Sequence, residues 1–170
     1  NAALCPAPTP HRFDCLFGCT GREKAFTHES VRAYAVETLE KASDHELLTF
    51  LLQLVQALRY EPVDPDQASA AGEGEGVNEA YVSPLARFLI SRAKRSLEVA
   101  NFLYWYLTAE KGDATHGAMY QNILKYFMRS LEEDEESARI GRLLRAQASY
   151  LHKIGQCQVQ AREEKGRKDQ

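Results

Sequence analysis

Two His–Glu pairs, at positions 28–29 and 45–46, are the residues whose spacing comes closest to a known catalytic motif. Each pair could begin the HExxH motif of zinc proteases, in which two histidines on one helix face bind the metal and the glutamate acts as the base. The fifth positions are Arg32 and Thr49, so neither pair completes the motif. We interpret both pairs as polar residues at helix starts.

The chain has four cysteines, three of them near its beginning. They are Cys5, Cys15, Cys19 and Cys157. An even count allows disulfides, but a chain with a core of this size does not need them, so we predict reduced thiols and keep disulfides as the alternative. Cys15 and Cys19 with His11 or His28 could be drawn as a zinc site, yet a second close pair of ligands is missing. We therefore predict no metal.

Other motifs are equally incomplete. Residues 72–76 read Gly-Glu-Gly-Glu-Gly, but this run follows no predicted strand and its carboxylates would repel a phosphate. Asp113 and His116 have the nearest spacing to the Glu-x-x-His pairs of di-iron bundles, without a second pair. The sequence contains no nucleophile elbow, Walker lysine or kinase catalytic loop. We predict no catalytic, cofactor-binding or metal-binding residue in this chain.

Bulk composition predicts one folded domain. The chain has 170 residues, of which 44% are hydrophobic and 26% charged. A net charge of -3 and a pI near 6.0 give no broad basic field, which argues against nucleic acid and against direct membrane insertion. No apolar run reaches the roughly 18–20 residues that span a bilayer. Because the chain begins at Asn1 without a methionine or a leader, we expect it to be a piece of a longer protein.

The run 43–60 predicts a helix that is apolar on most of its circumference. Ser43 and Glu46 have the spacing of a capping box. One stripe contains Leu47, Leu51, Leu54, Val55 and Leu58, and a second apolar set contains Leu48, Phe50 and Leu52. One buried stripe would not offset the entropy of ordering the segment, so we expect neighbours on both flanks.

Five further helices are predicted from apolar periodicity. They begin near residues 27–30, 84, 97, 115 and 134, and the first presents Val31, Tyr34, Ala35 and Leu39 on one face. Helix 97–111 is expected to be broad-faced and buried, and the last helix to bury Ile140, Leu143, Leu144, Leu151 and Ile154. We therefore divide the chain into an irregular segment 1–26 with at most one short helix, a helical domain 27–160 with a disordered acidic insertion at about 61–82, and a charged tail or linker at 161–170.

The predicted fold class is all-α, because no stretch alternates with a period of two. Tightly joined helix pairs, with broad-faced helices alternating with narrower ones, are typical of stacked antiparallel hairpins of the HEAT or armadillo kind. A closed four-helix bundle is the alternative.

Two surface features leave alternatives open. The aromatic run 102–106 is interpreted as core, with a membrane-interface anchor or a ligand-binding box as the other possibilities. Arg87, Arg92, Lys94 and Arg95 form a local basic face, interpreted as solvated helix surface rather than an anion site.

Four segments, at 30–36, 47–61, 88–93 and 100–106, closely resemble the helical (accessory, PIK) domain of phosphatidylinositol 3-kinases. The string Leu-Gln-Leu-Val-Gln-Ala-Leu-Arg-Tyr-Glu is specific to these lipid kinases, and Ala-Asn-Phe-Leu-Tyr-Trp-Tyr resembles the class III enzymes. The resemblance covers roughly residues 14–151. Its expected core consists of Tyr34, Leu51, Leu52, Leu54, Val55, Leu58, Phe88, Leu103, Tyr104 and Trp105.

The resemblance implies a non-catalytic scaffold between a C2 domain and a kinase domain, in a parent enzyme that uses ATP and magnesium to make phosphatidylinositol 3-phosphate. It also implies a regulatory protein kinase-like subunit, autophagy and endosomal subunits, and a cytoplasmic location at endosomal and autophagic membranes. The family's catalytic residues lie in the kinase domain, so none is carried over to this chain. A free-standing helical-repeat adaptor and a phosphatidylinositol 4-kinase helical segment remain the alternatives.

Overall fold

The computed structural model describes residues 29–61 and 82–168, and within these ranges the secondary structure is helical, without a strand. The all-α prediction is confirmed. The helices are α1 (Glu29–Glu40), α2 (Asp44–Ala57), a short 3-10 helix (Leu58–Tyr60), α3 (Pro84–Ala93), α4 (Leu97–Glu110), α5 (Gly117–Ser130) and α6 (Glu135–Lys168). The chain divides into two compact units, one up to Phe127 and the other from Met128 onward.

In the first unit, α2 packs on α4, α3 packs on α4, and α1 packs on α3. Helix α1 ends at a short turn, where the Ala42 N–H donates to the Leu39 carbonyl at 3.0 Å. Leu39 is buried, whereas Tyr34 is 69% exposed. The expectation that Tyr34 belongs to the core is therefore wrong, because its position on α1 faces away from the surface that Leu39 buries.

Helix α2 begins with the predicted capping box. The Glu46 N–H donates to the Ser43 hydroxyl at 3.3 Å, and the Ser43 N–H donates to the Glu46 carboxylate at 2.9 Å. The predicted stripe is buried and consists of Leu47, Leu51, Leu54, Val55 and Leu58. The second apolar set is only partly covered, and Leu52 is 38% exposed. Leu52 is therefore not a core residue, because the packing of α2 covers one broad face and leaves its far side open to water.

Helices α3 and α4 both begin at a serine cap. The Ser83 hydroxyl accepts from the Ala86 N–H at 3.2 Å, with Pro84 in the first turn, and the Ser96 hydroxyl accepts from the Val99 N–H at 3.4 Å. In α3, Leu85, Phe88, Leu89 and Ala93 are buried. The Ser83–Pro84 helix start is confirmed.

Helix α4 buries one face rather than two, which corrects the expectation of a broad-faced, fully buried helix. Its buried residues are Val99, Ala100, Leu103 and Leu107. In the aromatic run, Phe102 is 40% exposed, and Tyr104, Trp105 and Tyr106 are half-buried. The core interpretation of 102–106 therefore holds only for Leu103. Five consecutive residues point to all sides of a helix, and a neighbouring helix can cover only one of those sides.

Helix α5 follows a turn built on one carboxylate. Asp113 Oδ1 accepts from the Thr115 N–H at 2.8 Å and the His116 N–H at 2.6 Å, and these bonds, that of His116 first, lower the pKa of Asp113. Asp113 and His116 thus belong to a helix-start turn. Tyr120, Ile123 and Phe127 are buried, as the clean helical period predicts.

The second unit contains the end of α5 and the whole of α6. Ser137 fixes the connection: its N–H donates to Asp134 Oδ1 at 2.8 Å, and its buried hydroxyl donates to the Leu131 carbonyl at 3.0 Å. Gly141 is buried next to Leu131, and a Cβ at Gly141 would lie 3.4 Å from the Leu131 Cβ, in van der Waals contact. Ile140 and Leu144 are buried.

Helix α6 differs from its prediction in two respects. Leu143, Leu151 and Ile154 are 49%, 51% and 37% exposed, so they are not buried. The helix also continues to Lys168, where the sequence predicted a charged tail from residue 161. The residues that end its apolar pattern are mostly Gln, Glu, Ala, Arg and Lys, which favour helix without needing an apolar stripe.

The predicted N-terminal segment and most of the predicted acidic insertion lie outside the described residues, as do three of the four cysteines, His11, His28 and residues 72–76. Stacking of the helix pairs in the HEAT or armadillo manner stays a prediction. In the part of the chain that the structure describes, no helix is long and apolar enough to cross a membrane.

Replacing Leu51 with alanine tests the buried stripe. Leu51 is 0% exposed, so Leu51→Ala should lower the free energy of unfolding by about 2–5 kcal/mol, measured by urea denaturation. Leu52→Ala, one position along the same helix, is the matched control and should cost less than about 1 kcal/mol. Equal losses for the two variants would contradict the assignment of the buried face.

Candidate functional site

Several of the described residues that the sequence analysis considered for catalysis belong to helix caps and turns. Glu46 completes the α2 capping box. The described ranges contain no group of three or more His, Cys, Asp or Glu residues that could hold a metal ion. Cys157 is a free, exposed thiol on α6. The described ranges do contain contacts that fix the helices relative to each other within each unit, and surfaces that the helices leave open.

The most connected of these contacts is a cluster of Gln56, Arg59, Glu110 and Tyr120, which we call the polar cluster. It joins the C-terminal ends of α2 and α4 to the first turn of α5. Tyr120 is 0% exposed, and its hydroxyl donates to the Val55 carbonyl at 3.1 Å. A buried tyrosine needs such a partner for its hydroxyl, and here the partner is a backbone oxygen of the neighbouring helix.

Glu110 receives hydrogen bonds from two groups at the end of α2. The Gln56 Nε2 atom donates to Glu110 Oε1 at 3.2 Å, and the Arg59 guanidinium donates to Glu110 Oε2 at 3.1 Å. Arg59 Nε also donates to the Gln56 carbonyl at 3.0 Å. The side chains of Arg59 and Glu110 are only 26% and 17% exposed, so water screens this ion pair less than it screens a surface pair.

Burial raises the pKa of Tyr120, while the hydrogen bond with Arg59 and the positive charge of Arg59 act in the opposite direction. A tyrosine with its ordinary pKa of 10.0 is already protonated at neutral pH, and because burial is the largest cause, the net shift widens the pH range over which the hydroxyl is a donor. The cluster is thus a fixed set of donors and acceptors. These hydrogen bonds hold the ends of neighbouring helices together.

A second tie joins α3 to the turn between α1 and α2. The Arg92 guanidinium donates to the Ala42 carbonyl at 2.6 Å and pairs with Asp44 at 2.6 Å. Arg87, on the same helix, donates to the Val82 carbonyl at 3.1 Å and lies 5.8 Å from the centre of the Tyr126 ring. Two cations of the predicted basic face therefore have partners within the first unit, which reduces the charge available to an anion.

The expected family core is only partly buried. Six of its members are buried: Leu51, Leu54, Val55, Leu58, Phe88 and Leu103. Tyr104 and Trp105 are half-buried and contact each other edge to face at 5.0 Å. Tyr34 and Leu52 are exposed, as described above.

The two sets of contacts, around Glu110 and around Arg92, were not predicted from the sequence. Arg59 and Glu110 are 51 positions apart, and Arg92 and Ala42 are 50 apart, so no local spacing connects them. One signal was present in the sequence: Tyr120 is a tyrosine inside an otherwise apolar stripe, and its hydroxyl required a partner.

Comparison with known proteins identifies the family. Residues 23–139 match the model of the phosphoinositide 3-kinase family, accessory domain (PIK domain). Phosphatidylinositol 3-kinase pik3 of Schizosaccharomyces pombe is 40% identical over 131 residues, which are 76% of this chain and 15% of that protein. Phosphatidylinositol 3-kinase VPS34 of Arabidopsis thaliana is 40% identical over 108 residues, 59% of the chain and 11% of the relative.

The type 3 phosphatidylinositol 3-kinase catalytic subunit of Caenorhabditis elegans is 34% identical over 164 residues, covering 75% of the chain and 17% of that protein. The chain thus spans less than a fifth of the length of each of these relatives. All three relatives are named as phosphatidylinositol 3-kinases, and two of the names, VPS34 and catalytic subunit type 3, agree with the class III resemblance. The family model covers well over half of the chain, and the chain therefore belongs to the phosphoinositide 3-kinase family as its accessory (PIK) helical domain.

Proposed function

We propose that this chain is a stiff helical scaffold that holds the C2 and kinase domains of a class III phosphatidylinositol 3-kinase at a set angle. The polar cluster carries the proposal. It fixes the ends of α2, α4 and α5 by directional hydrogen bonds in addition to apolar packing, and directional bonds resist sliding of one helix along another.

The reaction would belong to the parent enzyme. We propose that the parent uses ATP and magnesium to phosphorylate the 3-hydroxyl of phosphatidylinositol, and that this domain contributes no catalytic group. Supporting observations are the accessory-domain match and the names of the relatives, which are phosphatidylinositol 3-kinases. A scaffold acts by position, so the helix ties rather than a reactive side chain are the functional features.

We also propose the cellular role of the parent enzyme and the arrangement of the helices within the domain. The class III relatives favour a parent that works in endosomal trafficking and autophagy, peripheral to those membranes, together with a protein kinase-like regulatory subunit. Within the domain, the short turn between α1 and α2 and the packing of α3 on α4 favour stacked antiparallel hairpins.

The proposed absence of catalysis is tested directly. The isolated chain, incubated with phosphatidylinositol vesicles, ATP and magnesium, should form no phosphatidylinositol 3-phosphate, whereas the full-length kinase that contains it should. Product formation by the isolated chain would contradict the scaffold proposal.

The scaffold role itself is tested in the full-length kinase with Arg59→Ala. Loss of the guanidinium leaves the mostly buried Glu110 carboxylate without its cation, which should cost the domain about 1–3 kcal/mol. We expect activity on vesicle-bound phosphatidylinositol to fall several-fold, with activity on a short-chain soluble analogue retained, because only the vesicle assay depends on domain orientation.

The matched control is Lys41→Ala, which removes an ion pair with Glu37 whose side chains are 61% and 64% exposed. This variant should leave stability and both activities unchanged. If Arg59→Ala destabilises the domain but lowers the activities on vesicles and on the soluble analogue equally, the result would contradict a role of the domain in orienting the kinase.

Tyr120→Phe tests the buried hydroxyl. Loss of its bond to the Val55 carbonyl should cost about 0.5–1.5 kcal/mol at neutral pH, measured by urea denaturation of the chain. Because the folded-state pKa of Tyr120 is raised, its contribution is present below the ordinary tyrosine pKa of 10.0 and is lost as the pH rises above that value. The variant should therefore lose stability less steeply above pH 10.0.

Tyr150→Phe, at a position 66% exposed, is the control and should leave the stability at neutral pH unchanged. An identical alkaline slope in the wild type and Tyr120→Phe would show that the phenol does not titrate differently on folding.

A further inference from the structure

Helix α6 extends far beyond its packed end. Ile140 and Leu144 are buried, and after Leu144 no residue up to Glu164 is buried. At 1.5 Å per residue, this uncovered part is about 30 Å long. Helix propensity alone stabilises such an uncovered segment only weakly, because most helical stability in proteins comes from packing one face of the helix on another element.

The uncovered part carries an apolar row, which we call the α6 stripe: Leu143, Tyr150, Leu151 and Ile154. Their exposed fractions are 49%, 66%, 51% and 37%. Positions 143, 150 and 154 differ by seven and four, so they lie on one side of the helix, with Leu151 beside them. This is the spacing of a seam that packs against another helix.

The stretch of α6 along the stripe carries only positive charge and is bounded by acidic residues at 132–136 and 163–164. Residues 137–162 contain five cations and no Asp or Glu; the cations are Arg139, Arg142, Arg145, Lys153 and Arg162. Arg142 pairs with Glu135 at 3.0 Å, and Arg145 pairs with Glu132. With the residues that the structure describes, Arg139, Lys153 and Arg162 form no ion pair, so their charge is available to a partner.

We propose that the α6 stripe is a docking site for an amphipathic α-helix of a separate polypeptide, one with an apolar seam and acidic flanks. Charge complementarity selects this occupant. A second copy of the same helix, paired in parallel, would place cations against cations, which disfavours that form of self-association.

A membrane surface fits the stripe less well. Gln147 and Gln158 interrupt the row, and neither Trp nor Phe occurs in residues 137–162. Helices that lie in the membrane interface bury a continuous apolar face with large aromatic or leucine side chains. A polar residue within the seam is tolerated between paired helices, where it fixes their register.

The test uses the 170-residue chain and two labelled peptides of three heptads each, with leucine at the a and d positions. One peptide has glutamate at the e and g positions and the other has lysine. In fluorescence anisotropy, the glutamate peptide should bind with a dissociation constant on the order of 10 µM, and the lysine peptide at least about 10-fold more weakly. Raising the salt from about 0.1 M to about 0.5 M should weaken the first interaction.

Two variants separate the seam from its flanks. The double variant Leu151→Gln, Ile154→Gln should weaken binding of the glutamate peptide at least about 10-fold, with helix content by circular dichroism unchanged, because glutamine is a good helix former. The double variant Arg139→Glu, Lys153→Glu should shift the preference toward the lysine peptide. Leu97→Gln, an equally exposed leucine at 47% on α4, is the control and should bind as the wild type does.

Four results would overturn the proposal. They are equal binding of the two peptides, unchanged binding by the Leu151→Gln, Ile154→Gln variant, self-association of the chain without peptide binding, and co-sedimentation with phosphatidylserine vesicles without peptide binding. The vesicle and self-association arms identify the occupant that would replace the one proposed.

Discussion

The end of α2 imposes a constraint that much of the first unit satisfies. A helix that stops leaves its last carbonyl groups without partners in the helix, and these carbonyls cost free energy if they are buried unpaired. Here the chain tightens into a short 3-10 helix, and Arg59 Nε returns to the Gln56 carbonyl. The Tyr120 hydroxyl reaches the Val55 carbonyl from another helix. The carbonyls at the end of α2 thus receive donors from Arg59, in the same turn, and from Tyr120 of α5.

The same constraint explains how a helix rich in leucine obtains a defined position. Apolar packing on α4 is strong but nearly non-directional, so leucine contacts alone permit many small shifts of one helix along the other. Glu110 removes this freedom, because its two oxygens accept from Gln56 and Arg59 at the same time. Arg92 does the same for the turn between α1 and α2. A domain that is proposed to hold other domains at a set angle requires helices in defined positions.

Local sequence signals predicted local structure well. The capping box at Ser43 and the Ser83–Pro84 helix start depend on neighbours within four positions, and both were readable from the sequence alone. Burial on a second face was less predictable. Leu52 and Phe102 have the residue type of a core position, but their exposure depends on whether another helix arrives at that side. The ties at Glu110 and Arg92 join residues about fifty positions apart, which no periodicity encodes.

Helix α6 also has a mechanical consequence. With 34 residues it is about 50 Å long, and its buried residues lie in the first third of that length. Such a helix is held by packing near Leu144 and extends well beyond that point. A rotation of a few degrees at Ile140 and Leu144 would displace the far end, roughly 35 Å away, by about 2–3 Å, so a small change in packing at the buried end becomes a larger displacement at the exposed end.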